Sequence, residues 1–366
     1  MGIKGLNDII KKYCPNILKN EIKLSEYTYK KIAIDTTLYM FKYKAILGDK
    51  WLNGFLNLII CLRKNNIHCV FIEDGKAPAE KSNERKKRAE QKEKLENKIY
   101  DIESALNKYY NTNEIDDILL KICESENNDK IKNLFRDDLS NIKTQTFNIK
   151  ICEAYFRKVQ NQNVKIEEND FILIRELFKY LGIPYFKSEK EAETMCCYLA
   201  SHGYVDAVLS EDTDVLAYKT GKFLTKINTS SETCIEIDFL ELIENLNLDE
   251  DSFLDLCIMC GNDYNDNIKG IGPDKSYKLL KEFKSIEEIE KIIDIKTKLN
   301  KYDTSILNYK KTRELFSVPK EFKFKIPYCD KPNFSKLEEF LFVNNIRMDI
   351  NNLKKFFKTP EINIEE

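Results

Sequence analysis

The chain has 366 residues, 42% apolar and 33% charged, with a formal net charge of −2. That length accommodates one large domain or two to three smaller ones around a substantial core. The near-neutral balance excludes a global field drawing the chain to DNA or to a membrane, so any polyanion must be met by local patches. Eleven cysteines are scattered, and most sit in apolar runs (Cys61, Cys69, Cys196, Cys197, Cys257, Cys260). The N-terminus MGIKGLNDIIKKYCPN has no signal-peptide core, so an intracellular, reduced protein with buried thiols is expected. No stretch approaches a membrane span, and Leu6 stands where myristoylation needs Ser or Thr. Cys257-x-x-Cys260 has no second pair, which argues against zinc. The two histidines, His68 at a strand start and His202 at a helix end, are placed for structure. If the chain is an enzyme, its chemistry is expected to run on carboxylates, not on imidazole.

In chain order, GLNDIIKKY is helix-like, KIAID (31–35) is a strand and WLNGFLNLIICLRKN a helix. CVFIED (69–74) is the second strand. From Ala79 to Leu181 there is neither Gly nor Pro, which favours long helices or a mobile helical insertion. Its middle (ESENNDKIKN, NIKTQTFNIK, QNQNVKIEEN) is polar and expected to be poorly ordered. Packing resumes at FILIRELFKYLGIP, followed by the helix SEKEAETMCCYLASHG and the strand VDAVLSED (205–212). Beyond Leu256 the chain is helical through ELFSVPKEF, KLEEFLFVNNIR and NNLKKFFK, and then ends in an acidic tail. Strand, helix, strand with short apolar strands predicts an α/β domain with a largely parallel sheet. Ligand sites in such sheets lie at the carboxyl ends of the strands. All three strands end in acid.

Those acids are Asp35, Asp74 and, in SEDTDVL, Asp212 and Asp214; Glu191 and Glu193 (KEAE) and Asp263 (GND) also follow apolar segments. Singly each has an ordinary explanation. Asp35 and Asp74 serve as turn residues, Asp263 as a loop cap, and Ser188-x-x-Glu191 as a helix capping box. Jointly they converge on one sheet edge and must be neutralised. Carboxylates in that number suit hard divalent cations such as Mg²⁺, which takes one or two directly and keeps several waters. Two ions roughly 3.5–4 Å apart clamp the attacking and leaving oxygens of a phosphodiester displacement. Residues i and i+2 share no face of a regular helix, so Glu191 and Glu193 converge only near a helix start. Ser188 as N-cap would put them there.

MGIKGL, AID, FIEDGKAP (71–78), EKEAETMC (189–196), SEDTDVL and CGNDYNDNIKGIGP (260–273) together resemble the structure-specific 5′ nucleases of the XPG family, most of all the flap endonucleases. The motifs occur in family order over roughly residues 1–90 and 170–290. The resemblance implies a PIN-like, Rossmann-like mostly parallel sheet flanked by helices, with a helical arch insertion and a helix-two-turn-helix C-terminal region. The boundaries it implies are a nuclease region over 1–95 and 166–255, an arch insertion over 96–165, a DNA-binding region over 256–345 and a tail over 346–366.

The activity implied is Mg²⁺-dependent cleavage of 5′ flaps at single-strand/duplex junctions, with 5′–3′ exonuclease activity, in replication or repair. Asp35, Asp74, Glu191 and Glu193 would surround one ion and Asp212, Asp214 and Asp263 the other; Mn²⁺ would substitute, and K⁺ would bind the helix-two-turn-helix. Gly2 would place its amino group near the site if Met1 is removed. Lys81 and Arg88 match the basic residues that bind the scissile phosphate, and Phe41 the aromatic that stacks on a base. Lys81, Arg85, Arg88 and Lys92 also recur on one helix face, in a patch of about +4. A solvated helix salt-bridged by Glu80 and Glu84 is the alternative there, and core packing the alternative for Phe41. Gly270, Gly272 and Lys275, in KGIGPDKSYKLLKEF, would meet duplex phosphates at a helix N-terminus.

Departures from the family bear on specificity. Only 38 residues lie between Asp35 and Asp74, which puts 3′-flap recognition in question, and the insertion that follows is longer than in flap endonucleases. Asp274 stands where relatives carry a basic residue. Leu353, Phe356 and Phe357 form half of a sliding-clamp motif, with Ile350 in place of Gln. The expected partner is branched DNA (flapped, nicked or gapped duplex), with no membrane, and the chain a monomer. The expected location is the nucleus, or a cytoplasmic replication site if the source is viral. Within the family the alternatives are an exonuclease-like or a junction-cutting member; two further rival readings are a catalytically silent DNA-binding scaffold on the same fold and an RNA-cleaving PIN-type nuclease, the latter disfavoured by GIGP and the basic helix.

Overall fold

The computed structural model describes residues 2–134, 147–295, 303–317 and 325–357. Part of the segment expected to be poorly ordered (135–146) and the acidic end of the tail (358–366) lie outside the described residues. Those described divide into two compact units.

The larger unit, residues 1–43, 50–83 and 167–366, is built on one seven-stranded sheet. Its strands are β1 (Glu21–Lys23), β2 (Lys31–Asp35), β3 (His68–Glu73), β4 (Tyr185–Lys187), β5 (Ala207–Leu209), β6 (Lys222–Asn228) and β7 (Thr233–Asp238). They lie in the order β1-β7-β6-β5-β2-β3-β4. The run from β6 to β4 is parallel, and β7 and β1 add an antiparallel edge. Chain order moves one way from β2 through β3 to β4 and the other way from β5 to β6. The boundary between β2 and β5 is therefore a topological switch point, where a crevice opens at the carboxyl ends of the strands.

Register brings the acids to that crevice. Asp35 pairs with Ile72 beside it, two residues before Asp74, and Ile34 pairs with Leu209, three residues before Asp212. Ile32, Ala33 and Ile34 of β2, and Ala207, Val208 and Leu209 of β5, are buried, as strands covered on both faces must be. On one face Ala33, Val70, Ile72 and Val208 join a core with Leu6, Ile10, Cys196 and Leu256. On the other face Phe71 stacks on Phe178 at 4.3 Å, with Phe55 against both.

The helical run Thr36–Lys64 has the length and apolarity of a membrane span, contrary to the expectation that no stretch approaches one. Half of its most apolar window is buried, and Leu52, Phe55, Leu58, Ile59 and Leu62 belong to the core. A core helix passes the same test. All eleven cysteines are free and buried.

The smaller unit is residues 44–49 and 84–166. Its helices, drawn from Ser82–Thr112, Asp117–Leu134 and Ile149–Gln162, share a small core of Ile102, Ala105, Leu106, Leu119, Ile122, Cys123 and Cys152. The Gly- and Pro-free composition is realised here as three long helices, with Asn148 capping the third by accepting from Lys150 N.

Candidate metal centre

Each acid is placed by the end of a regular element. Asp35 is the last residue of β2, and its Oδ1 accepts from Leu38 N at 3.0 Å, in the first turn of the helix Thr36–Leu47. Asp74 directly follows β3, and its Oδ1 accepts from Ala192 N at 2.7 Å, capping the helix Ala192–Ser201. Glu191 is the N-cap residue of that helix and Glu193 lies in its first turn. Here the structure corrects the sequence reading. Ser188 is not the N-cap; its hydroxyl donates to Glu191 O at 3.2 Å, and the helix starts later. One orphan amide of this helix start, Ala192 N, is met by Asp74 across the sheet edge, and this fixes where Glu191 and Glu193 leave the helix start.

Asp212 follows β5 in a tight turn: its backbone N donates to Ser210 Oγ and its Oδ1 accepts from Asp214 N, both at 3.1 Å. Asp214 opens the short helix Asp214–Ala217 and is 2% exposed. Asp263 comes in after the helix Glu250–Cys260, whose end is turned by Gly261 at φ +87°. Gly2 presses on the Asp212 turn with φ +97°, and a Cβ there would collide with the Asp212 carboxylate and lie 2.5 Å from Thr213 Oγ1. Glycine is needed at that position on both counts. Ile3 N donates to Thr213 Oγ1 at 3.1 Å and Lys4 N to Gly261 O at 2.9 Å. The N-terminal segment thus ties the Asp212 turn to the Asp263 loop.

The electrostatics mark these acids as one system. Burial raises the pKa of Asp35 well above the carboxylate range, with Asp74 and Asp212 adding to it. Burial likewise raises Glu193, followed by Asp212 and Asp214, and Asp214, followed by Asp212 and Asp263. Asp74 and Asp212 are raised for the same first reason. The Lys81 ammonium stands among them. Lys81 Nζ lies 2.6 Å from Glu191 Oε1 and 3.1 Å from Asp263 Oδ2, with all three side chains at 15% exposure or less. Burial works against that ammonium, yet Glu191 and Asp263 hold it protonated well above the usual lysine range.

Glu193 Oε1 and Asp214 Oδ1 are buried and, among the described residues, have no hydrogen-bond partner. A buried charged oxygen in that state is costly and calls for a cation. Among the described residues no three His, Cys, Asp or Glu side chains close around a single point.

The XPG N-terminal domain matches residues 1–95 and the XPG I-region matches residues 182–263. A probable RAD2-like endonuclease of Invertebrate iridescent virus 6 is 31% identical, over 99% of this chain and 93% of the viral protein. Flap endonuclease 1 of Lodderomyces elongisporus is 29% identical over 90% of this chain and 80% of its own length. The chain belongs to the XPG/flap endonuclease family. It is a nuclease, a phosphodiester hydrolase, and the family is generally metal-dependent. The fold agrees. The catalytic core of Rad2 bound to DNA superposes with a TM-score of 0.64 at 15% identity, covering 98% of this chain and 99% of that one. The flap endonuclease-1 of Methanococcus jannaschii gives 0.58 at 20% identity, covering 92% and 93%.

The remaining residues that the family pattern singles out are more dispersed. Arg85, Arg88 and Lys92 lie on the helix Ser82–Thr112, within the smaller unit, where Arg88 Nε donates to Glu84 at 3.2 Å. Phe41 is 42% exposed on the helix Thr36–Leu47, so core packing does not explain it. Gly270 has φ +84°, Gly272 is the N-cap of the helix Pro273–Phe283, and Lys275 is exposed in its first turn. The Asp274 carboxylate accepts from Lys12, from Tyr13 Oη at 2.7 Å and from Lys278 at 2.9 Å. Its charge is thus spent on holding this helix to Leu6–Tyr13. Leu353 and Phe357 are buried and Phe357 packs on Phe334, so the apolar half of the clamp-like motif is used inside the fold.

Glu211 stands apart from the acid cluster: its carboxylate pairs with Lys42 at 2.5 Å. Glu211→Gln is therefore expected to leave cleavage within about twofold of wild type, since a partly exposed ion pair outside the acid cluster contributes little. Single-turnover rates measure this, and a loss comparable to that of Asp212→Asn would put Glu211 in the site.

Proposed function

We propose that the chain is a Mg²⁺-dependent, structure-specific DNA endonuclease that cuts 5′ flaps at the junction of single strand and duplex, with 5′–3′ exonuclease activity, in DNA replication or repair. The observation that carries this reading is the buried acid cluster at the β2/β5 crevice, with Glu193 Oε1 and Asp214 Oδ1 lacking hydrogen-bond partners among the described residues and the Lys81 ammonium beside it. Asp35, Asp74, Glu191 and Glu193 would hold one ion and Asp212, Asp214 and Asp263 the other. When bound, the ions supply a nucleophile at neutral pH and neutralise charge on the phosphodiester, with no need of histidine.

The chain's own residues do the rest. The helix starts and the tight turn fix the carboxylates before substrate arrives, so no reorganisation is required during reaction. Gly2 lets the backbone close over Asp212. Lys81 would be a cation for the scissile phosphate, leaving Glu191 and Asp263 for another anion; Arg88, on the helix Ser82–Thr112, stands at the family's second phosphate-binding position. Phe41 offers an exposed aromatic face for a base. The turn at Gly270–Gly272 and Lys275 would take duplex phosphates, with K⁺ as the ion of that turn. DNA as substrate is supported by the fold: Rad2 cores have been solved with DNA substrate, and human GEN1 with Holliday junction DNA at a TM-score of 0.59. We place the chain in the nucleus or at a cytoplasmic replication site, acting as a monomer.

The test is a panel of end-labelled substrates with Mg²⁺: double-flap, nicked, gapped and four-way DNA, and single-stranded RNA. The expected result is product at the base of the 5′ flap, lost in Asp212→Ala and when Ca²⁺ replaces Mg²⁺. Tight DNA binding with no cleavage would leave a silent scaffold, and cleavage of RNA alone would leave a PIN-type ribonuclease.

A further inference from the structure

Tyr264 was not singled out by any sequence pattern, yet it touches the acid cluster at more points than a core aromatic requires. Its backbone is fixed beside Asp263 by Asn262 Oδ1, which accepts from Tyr264 N at 2.8 Å. Its ring meets Phe316 edge-on at 5.2 Å, and Lys81 Nζ stands 5.1 Å from its centroid. Phenylalanine would serve both contacts. The hydroxyl is what needs explaining, and it donates to Glu191 Oε2 at 2.8 Å.

Glu191, paired with the Lys81 ammonium, only accepts, so the single Tyr264 proton points at it. Nearby, Thr194 Oγ1 lies 2.9 Å from Tyr218 Oη. Tyr218 is buried and held by Phe316 at 5.1 Å.

We propose that Tyr264 is a positioning residue for divalent-ion binding: it commits Glu191 Oε2 and leaves Oε1, the oxygen now facing Lys81, as the one that changes partner. The assignment rests on the metal-nuclease reading above. Hydrogen bonds to ligating carboxylates orient them, and their removal typically weakens ion affinity or activity about 10- to 100-fold. Tyr264→Phe keeps the ring contacts and removes only the hydroxyl.

The experiment titrates MgCl₂ alone against the full-length wild type and Tyr264→Phe, reading melting temperature without DNA, and repeats the titration with 5′-flap DNA under single-turnover conditions. The expected result is a shift of both Mg²⁺ midpoints upward by roughly tenfold, with KM for DNA unchanged. Tyr264→Phe should add nothing in a Glu191→Gln background. A purely packing role would change the melting temperature in EDTA and leave the Mg²⁺ midpoints alone, which overturns the assignment. A wild type that neither cleaves nor responds to Mg²⁺ overturns the metal-nuclease reading, and this assignment with it. A responsive wild type with an identical Tyr264→Phe overturns the assignment alone.

Discussion

Asp214→Asn is expected to abolish cleavage, by about 10³-fold or more, and at the same time to stabilise the ion-free protein. The residue is 2% exposed, its Oδ1 has no partner among the described residues, and Asp212 and Asp263 press on it with like charge. Asparagine fills the same space without charge, and its amide can donate to those neighbours. Relief of a buried unpaired group is worth about 1–3 kcal/mol, a rise of a few degrees in melting temperature.

The pH dependence has a definite sign. Burial, then Asp212 and Asp263, hold the folded-state pKa of Asp214 well above its ordinary value of 3.8. Its contribution to wild-type stability is therefore fully present below the unfolded value and is lost as pH rises through the folded one. The advantage of the asparagine variant should be largest in the alkaline range and shrink on acidification towards the ordinary carboxylate value. Melting curves in EDTA across that range measure it, and saturating Mg²⁺ should reverse the order of the two proteins. A variant less stable than wild type at every pH in EDTA would show that the acids are not in mutual strain. The same burial that makes the cluster a site for a cation makes it a local cost without one.

Much of this was legible in the sequence because it follows from strand ends. KIAID and CVFIED are short apolar runs, and parallel pairing puts Asp35 and Asp74 on one edge whatever the details of the loops. Asp212 follows from the same logic. The helix start at Glu191 was less legible. Ser188 has the right residue type and spacing for an N-cap, but Asp74, more than a hundred positions earlier in the chain, supplies the capping oxygen, and local pattern carries no trace of that. β4 and β1 are three residues each and took shape only through their neighbours. The β6–β7 hairpin was open to earlier notice: KFLTKIN and TCIEID flank a polar turn. Tyr264 was hidden for a different reason. An aromatic after GND is indistinguishable from a core residue until the position of Glu191 is known, and its adjacency to Asp263 was the only available signal.

Lys81→Met should act on stability in the opposite sense to Asp214→Asn, and the pair of results together tests the electrostatic account of the site. Methionine retains the length of the stem and removes the charge. Lys81 is salt-bridged to Glu191 and Asp263 and lowers the cost of ionising Asp74, Glu193, Asp212 and Asp214. Removing one partner of a buried ion pair costs about 3–5 kcal/mol because it leaves the other charge uncompensated. The variant should therefore melt well below wild type in EDTA, whereas Asp214→Asn melts above it. Mg²⁺ supplies the missing positive charge, so the ion should stabilise Lys81→Met by more than it stabilises wild type. Activity at saturating Mg²⁺ should still fall about 10²- to 10³-fold, the usual loss when one preorganised donor is taken from a transition state. On the proposed role of Lys81 at the scissile phosphate, stability and activity separate here because an added ion can replace the ammonium as a counter-charge without taking its place against the substrate. Adding Asp263→Asn to Lys81→Met should recover part of the EDTA melting temperature and none of the activity. If Lys81→Met in EDTA is as stable as wild type, the ammonium is not the counter-ion of the cluster, and the carboxylates must be largely protonated without it.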